Sequence, residues 1–299
     1  MLLEFRTSNY KSFKDELVFS LTPAPKQKGL DYSILEETIG KKTYKGLCSA
    51  IIYGPNASGK TNIIGAMDTF KSIVLRGNIR NDNDKSDPNA AAGTLELIPN
   101  SSSQNNLPVS FAVKFISEER LIEYSFTVDL GGFLESHYKR RILTETLSVD
   151  GSVIFSRNGG LKIEDLTVIR NMLVNAFEQN AEGAIALAVS NLNEEELFLM
   201  NGFKTMFSSK LVSLISEWLD NKFMVIYRAD ALHLIRKFSD AGKKSVYVEK
   251  TINEAAACFG INSNALGYIV DGESNEAKLC SVFKNMEKGT AIPAELFES

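Results

Sequence analysis

The chain has 299 residues, with 33 basic and 37 acidic side chains. Its net charge of −4 excludes a whole-protein positive field for gripping nucleic acid. With 44% hydrophobic and 23% charged residues, it has the composition of a globular protein with a sizeable core, not of a disordered one. Cys48, Cys258 and Cys280 stand far apart with no Cys-x-x-Cys pair, and His137 and His233 are read as surface or packing residues, so spacing argues against a zinc site or a disulfide framework.

In chain order, Leu2 to Arg6 reads as a short strand, Asn9-Tyr10-Lys11-Ser12-Phe13 as a turn, and Glu16 to Leu21 as a second strand in which Leu17, Phe19 and Leu21 alternate. Pro23, Pro25 and Gly29 then break regular structure. Cys48 to Tyr53 is a compact apolar run that reads as a buried strand. After a glycine-rich loop, Ile63, Ile64, Met67, Phe70, Ile73 and Val74 recur at helical spacing, and Gly77 marks the stop. Residues 80–108 read as a flexible surface loop. Four strands are expected next, at Val109–Ile116, Leu121–Leu130, Phe133–Val149 and Ser152–Ser156, with Asp150-Gly151 as a hairpin signal. From Ile163 the period turns helical, with Trp218, Leu214 and Ile215 assigned to the core, a short strand at Phe223–Tyr227 and a helix at Val248–Phe259. There is no internal repeat and no sustained heptad. The expected organisation is a core at 1–80, a loop and antiparallel meander at 81–160, and a helical subdomain at 161–299 that leads back to the core.

Gly54-Pro55-Asn56-Ala57-Ser58-Gly59-Lys60-Thr61 matches the P-loop pattern G-x-x-x-x-G-K-[ST], between an expected strand and an expected helix. Glycines let the backbone wrap phosphate oxygens, and successive N–H groups form an anion nest at the positive end of the helix. Lys60 is the charge for the β- and γ-phosphates, Thr61 offers its hydroxyl to Mg²⁺, and Asn56 is placed on the γ-phosphate side. The expected cofactors are therefore ATP and Mg²⁺.

The form of this loop, with Asn62 after Thr61, resembles that of RecF, SMC and related ABC-type ATPases. Asn9-Tyr10-Lys11-Ser12-Phe13 resembles the Asn-Phe-Arg-Ser-Phe start of the same proteins, a segment that borders adenine and ribose. The resemblance thus implies Arg6, Asn9, Lys11 and Ser12 as further nucleotide contacts. The helical segment and the terminal Ile292–Ser299 look more weakly like bacterial RecF-like ATPases grouped with the OLD (overcoming lysogenization defect) proteins, many of them linked to phage defence and some with a nuclease partner. The resemblance implies an α/β P-loop core of the ABC/SMC head type, with an antiparallel β arm and a helical subdomain. It also implies homo-oligomers in which two heads sandwich two ATPs, and DNA or an effector protein as partner.

Such an ATPase needs a carboxylate pair at the end of an apolar strand. No run of four apolar residues followed by Asp-Glu occurs. Tyr124–Asp129 is the nearest imitation, but Leu130-Gly131 follow and it reads as a meander strand. The serine-glycine signature, the D-loop and the switch histidine are also missing, and Gln104 is a weak candidate for the Mg²⁺-touching glutamine. The catalytic base is left unassigned. The reading is of a nucleotide-gripping half whose hydrolytic half follows Ser299 in a longer product or sits on a separate chain.

Among other signals, His137-Tyr138-Lys139-Arg140-Arg141 is a basic run suited to nucleic-acid phosphates or, as the favoured reading, to a charged strand edge. Asn193-Glu194-Glu195-Glu196 reads as an acidic helix start. Met1–Arg6 lacks the features of a secretion signal, and no run of 18 apolar residues occurs, so a cytoplasmic protein without a membrane span is expected. Two alternatives stay open: a non-hydrolysing nucleotide-binding regulatory or scaffolding module, and another P-loop kinase or GTPase. Asn285-Met286-Glu287-Lys288 does not match a guanine-reading segment, and arginines for a kinase lid are few.

Overall fold

The computed structural model describes residues 1–25, 29, 31–56, 58–80, 95–102, 107–131 and 138–225, together with the chain course of four strands at 244–248, 266–271, 277–284 and 289–293. Its main body is a seven-stranded antiparallel sheet. The strands are β1 (Leu2–Ser8), β2 (Leu17–Ser20), β5 (Val109–Ser117), β6 (Arg120–Asp129), β7 (Arg141–Val149), β8 (Ser152–Asn158) and β9 (Leu161–Ile163), in the order β2-β1-β5-β6-β7-β8-β9. Between β2 and β5 come the hairpin β3 (Ile34–Ile39) and β4 (Lys42–Leu47), then the helix α1 (Lys60–Arg76).

The sheet follows the period of two. Phe111, Val113, Phe115, Tyr124, Phe126 and Leu147 are buried on one face, while Ser110, Lys114, Glu123, Ser125, Thr127, Thr146 and Ser148 are partly exposed on the other. The turns suit the sheet's twist, because Glu118 and Glu119 (φ 50° and 58°) and Asp150 and Gly151 (φ 52° and 86°) all hold positive φ, as two-residue hairpin loops require.

Helix α1 lies on the apolar face. Phe70 stacks on Phe126 at 5.6 Å between ring centroids and meets Phe5 edge-on at 5.8 Å. Gly77, at φ 71°, ends the helix by donating to the carbonyls of Ile73 and Val74. The same face is completed by short helical pieces: a 3₁₀ segment at Thr167–Met172, α2 (Asn175–Gln179), α3 (Ala181–Ser190), α4 (Lys204–Met206) and α5 (Ser209–Glu217). Single π-helical turns sit at Leu199–Phe203 and Trp218–Lys222. Trp218 is core as expected, stacked between Phe115 at 3.7 Å and Phe223 at 5.1 Å.

Several expectations are corrected. Cys48–Tyr53 is neither a strand nor buried: Ile51 is 87% and Tyr53 91% exposed, and among the described residues no strand pairs with this run. Residues 95–102 are not a surface loop; Leu95, Leu97 and Ile98 are buried under the sheet's first strand and turn. Residues 138–140 lie outside β7, and β9 was not foreseen. The seven-stranded sheet crosses the boundary expected at residue 80, since β1 pairs with β5. The expected helical end instead contains four antiparallel strands, β10 (Lys244–Val248), β11 (Leu266–Asp271), β12 (Ala277–Lys284) and β13 (Gly289–Pro293). Val248 ends β10; the rest of the helix expected to Phe259 lies outside the described residues, as do Ile226 and Tyr227.

The sheet and the helical cap are tied by one buried carboxylate. Glu145 on β7 accepts from Tyr124 Oη at 2.8 Å and from the Phe198 and Leu199 N–H groups at 2.7 and 2.8 Å, with the Arg157 guanidinium 3.9 Å away. Burial pushes this carboxyl above its ordinary value, against the pull of those donors and of Arg157. A raised acid binds its proton more tightly in the folded chain than in the unfolded one. Its contribution therefore favours folding most below the ordinary value and declines as pH rises through the raised one. Glu145→Ala, which strands three donors, is expected to cost about 3 kcal/mol in urea unfolding. Glu145→Gln should flatten the fall of stability with rising pH over that window.

Candidate nucleotide-binding site

The candidate site is built at the N-terminal end of α1. Gly59 precedes the helix at φ 86°, a left-handed conformation that favours glycine. It also allows a close approach: a Cβ here would run into Ser12 Oγ and, at 3.1 Å, the Phe13 ring. The Lys60 side chain folds back over the loop and donates from Nζ to the carbonyl oxygens of Gly54 at 3.0 Å and Pro55 at 2.5 Å. Its ammonium thus spans the loop that the sequence pattern assigns to phosphate. Gly54, Pro55, Asn56 and Ser58 are exposed, Thr61 is half-buried in the first turn of α1, and Ala57 lies outside the described residues. Asn62 is buried, with its N–H donating to the Gly59 carbonyl at 3.0 Å and its Nδ2 to Ser12 Oγ at 2.9 Å.

The turn at Asn9–Phe13 reaches the loop through part of its residues. Ser12 and Phe13 touch the closing end of the loop. Lys11 points inward: it is fully buried and forms an ion pair with Glu96, whose side chain is 8% exposed. Asn9 donates from Nδ2 to the Leu107 carbonyl at 2.6 Å. Arg6 is a correction. Strand alternation buries Phe5 and Thr7 and sends Arg6 to the open face of the sheet, away from α1. There it pairs with Glu4 at 2.6 Å and Glu16 at 3.9 Å, in a cleft shared with Lys114 and Ser125.

Asn9 and Lys11 hold positive φ, 51° and 46°, without being glycine, which costs on the order of 1 kcal/mol each. The segment 95–102 supplies the restraint. The Lys11 N–H donates to the Ile98 carbonyl at 2.9 Å, and the Asn100 N–H to the Asn9 carbonyl at 3.1 Å. Asn100 Nδ2 donates to the Lys11 carbonyl at 2.6 Å. Tyr10 Oη shares a 3.0 Å hydrogen bond with Thr69 Oγ1 on α1. Near by, burial and the neighbouring Glu96 push the Asp68 carboxyl above its ordinary value. Glu96 and Asn100 were missed from the sequence, although the apolar Leu95, Leu97 and Ile98 signal a buried segment.

The described part of the loop carries the groups that the P-loop pattern assigns to a nucleoside triphosphate. They are a glycine-closed turn with a lysine ammonium held across it, a hydroxyl in the first helical turn, and Ser12 and Phe13 at its closing end. A family model described as "AAA domain, putative AbiEii toxin, Type IV TA system" matches residues 49–257. The chain belongs to this AAA family. The match begins at the run that leads into the loop and takes in all of α1, the meander and the helical cap. Its architecture is that of an α/β P-loop NTPase, and it is an ATPase-type nucleotide-binding module. ATP with Mg²⁺ is what AAA ATPases generally bind. Neither the curated proteins nor the solved structures contain a match to the chain.

The remaining candidates in this AAA domain are engaged elsewhere. Asp129, the imitation of a catalytic carboxylate, accepts from Tyr138 Oη at 2.5 Å, Arg141 Nη2 at 2.8 Å and the Gly131 N–H at 3.1 Å. Burial alone would raise its carboxyl, but those donors outweigh it and hold it below its ordinary value. In the described part of the basic run, Arg140 is buried and donates to the Ile79 carbonyl, while the exposed Arg141 pairs with Asp129 and the exposed Lys139 lies 3.4 Å from Glu194. Asn193–Glu196 is a strap, not a helix start. Glu195 and Glu196 pair with Arg80, and the Leu197 N–H donates to the Gly77 carbonyl. Among the described residues no cluster of three His, Cys, Asp or Glu side chains could hold a metal, and no helix is long and apolar enough to cross a membrane. Gln104, His137, His233 and Asn285–Lys288 lie outside the described residues. Gly59→Ala should lower stability by about 1–3 kcal/mol in thermal melts, through strained φ and collision with Ser12 and Phe13, and weaken nucleotide binding in a titration.

Proposed function

We propose that this AAA domain is the nucleotide-gripping head of an ATP-driven switch of the RecF/SMC-like ABC type, acting in DNA maintenance or phage defence. The observation that carries this reading is the contact of Ser12 and Phe13 with Gly59 and Asn62. It sets the early Asn-x-x-Ser-Phe segment, which in the resemblance to RecF and SMC heads borders adenine and ribose, beside the phosphate loop. The defence role draws on the same resemblance and on the family's description, which names a toxin and a toxin–antitoxin system.

In this reading Gly54 to Thr61 hold the triphosphate through backbone N–H groups and the Lys60 ammonium, and the Thr61 hydroxyl takes Mg²⁺. Mg²⁺ held there would supply positive charge to offset that of the phosphates. Asn62 and Ser12 hold the closing end of the loop, and Asn9 and Lys11 act from behind them. Two heads sandwiching ATP, with DNA or a nuclease or other effector as partner, complete the proposal.

A second reading, a nucleotide-binding regulatory or scaffolding module without turnover, is favoured by one observation. Asp129, the nearest sequence candidate for a catalytic carboxylate, already accepts three hydrogen bonds from Tyr138, Arg141 and Gly131. Both readings share a first test. Lys60→Ala should weaken ATP binding by about a hundredfold or more, the worth of a charge-assisted phosphate contact. Unchanged affinity removes the loop from the site. Mg-ATP turnover above the Lys60→Ala blank, with specific activity rising with protein concentration, supports paired heads; binding without turnover supports the second reading.

A further inference from the structure

We propose that the buried Lys11–Glu96 ion pair is a latch that positions the turn Asn9–Phe13 against the phosphate loop, so that Lys11 is a positioning residue for nucleotide binding, acting through Ser12. The proposal rests on the P-loop reading above. The turn does not hold its shape by local preference, since Asn9 and Lys11 both stand in the left-handed region without being glycine. A conformation of this kind persists where surrounding structure over-determines it. Here the surrounding structure is the segment 95–102, which grips the turn by three hydrogen bonds to backbone groups of Asn9 and Lys11 and by one ion pair.

The ion pair is the unusual part of that grip. Lys11 has no exposed surface, and its ammonium meets the Glu96 carboxylate beneath the sheet while passing 5.5 Å from the Tyr10 ring. Two apolar side chains of similar size would fill the same space with less desolvation, but they would not set direction. An ammonium facing one carboxylate does: it fixes where the turn sits along the segment 95–102. Asn100 fixes the same turn through its backbone, and Tyr10 fixes it against Thr69 of α1. With the turn held from behind on three sides, the side chain it presents forward is Ser12. That hydroxyl receives Asn62 Nδ2, and with the Phe13 ring it closes on the space beside Gly59. Displacing Lys11 therefore moves Ser12 away from Asn62, in the helical turn that also carries Lys60 and Thr61.

The test is a binding titration with a fluorescent ATP analogue on the full chain, comparing Lys11→Met, Ser12→Ala, the double variant and Lys60→Ala, each checked for folding by near-UV circular dichroism. Lys11→Met and Ser12→Ala are each expected to weaken binding, by about tenfold for Lys11→Met, and the double variant to bind no more weakly than the weaker single one. Such non-additivity is what action through Ser12 produces, and a general loss of stability does not. If Lys11→Met fails to fold, Glu96→Gln, which keeps the shape of the side chain, takes its place in the same cycle. Wild-type affinity in a folded latch variant, with binding lost in Lys60→Ala, overturns the latch and leaves the loop assignment standing. Losses that multiply in the double variant overturn it as well. Wild-type affinity in Lys60→Ala overturns the loop assignment, and the latch with it.

Discussion

The structure depends on the seam between α1 and the apolar face of the sheet. Seventeen helical residues, about 25 Å of rod, lie against β1, β5 and β6, and Phe70 sits where the rings of Phe5, Phe111, Tyr124 and Phe126 converge. Burial of these rings fixes the rotation and height of the helix. It thereby fixes the place of Lys60, Thr61 and Asn62 at its first turn. The phosphate loop has few anchors of its own among the described residues. Its position is inherited from a hydrophobic contact three turns away and from the turn that closes on Gly59.

A second layer of constraint is polar. Glu145 collects donors from the sheet and from the Phe198–Leu199 turn, and Arg157 reaches the carbonyls of Asn193 and Glu196. The acidic strap Asn193–Glu196 in turn holds Arg80, just beyond the end of α1. The helical cap is thus stitched to the rim of the sheet by charges that the apolar pattern does not predict, and α1 is held at its far end while its near end carries the loop.

What was legible in the sequence had a local cause. The alternation of Tyr124, Phe126 and Val128, the Asp150-Gly151 turn, the helical spacing from Ile63 to Val74 and the Gly77 stop each express a period or a backbone preference that neighbouring residues suffice to set. What was not legible needed partners distant in sequence. Lys11 looked like a surface contact for a nucleotide because its carboxylate partner lies 85 residues away. Arg6 looked available until the strand's register sent it to the open face. The break at Glu118-Glu119 was legible from its charges, but its left-handed form was not, because the pairing of the strands on both sides imposes it. The segment 95–102 was hidden by the polar, proline- and asparagine-rich residues around it.

The run from Ser49 to Tyr53 carries a further consequence. It presents Ile51 and Tyr53 to solvent in a stretch without regular secondary structure that has no strand beside it among the described residues. Extended, β-branched and aromatic segments with bare edges are templates for pairing with other chains. With a net charge of only −4 over 299 residues, long-range repulsion does little to prevent such encounters. The same few residues that lead the chain into its phosphate loop are therefore also, among the described residues, an exposed apolar run open to a covering strand.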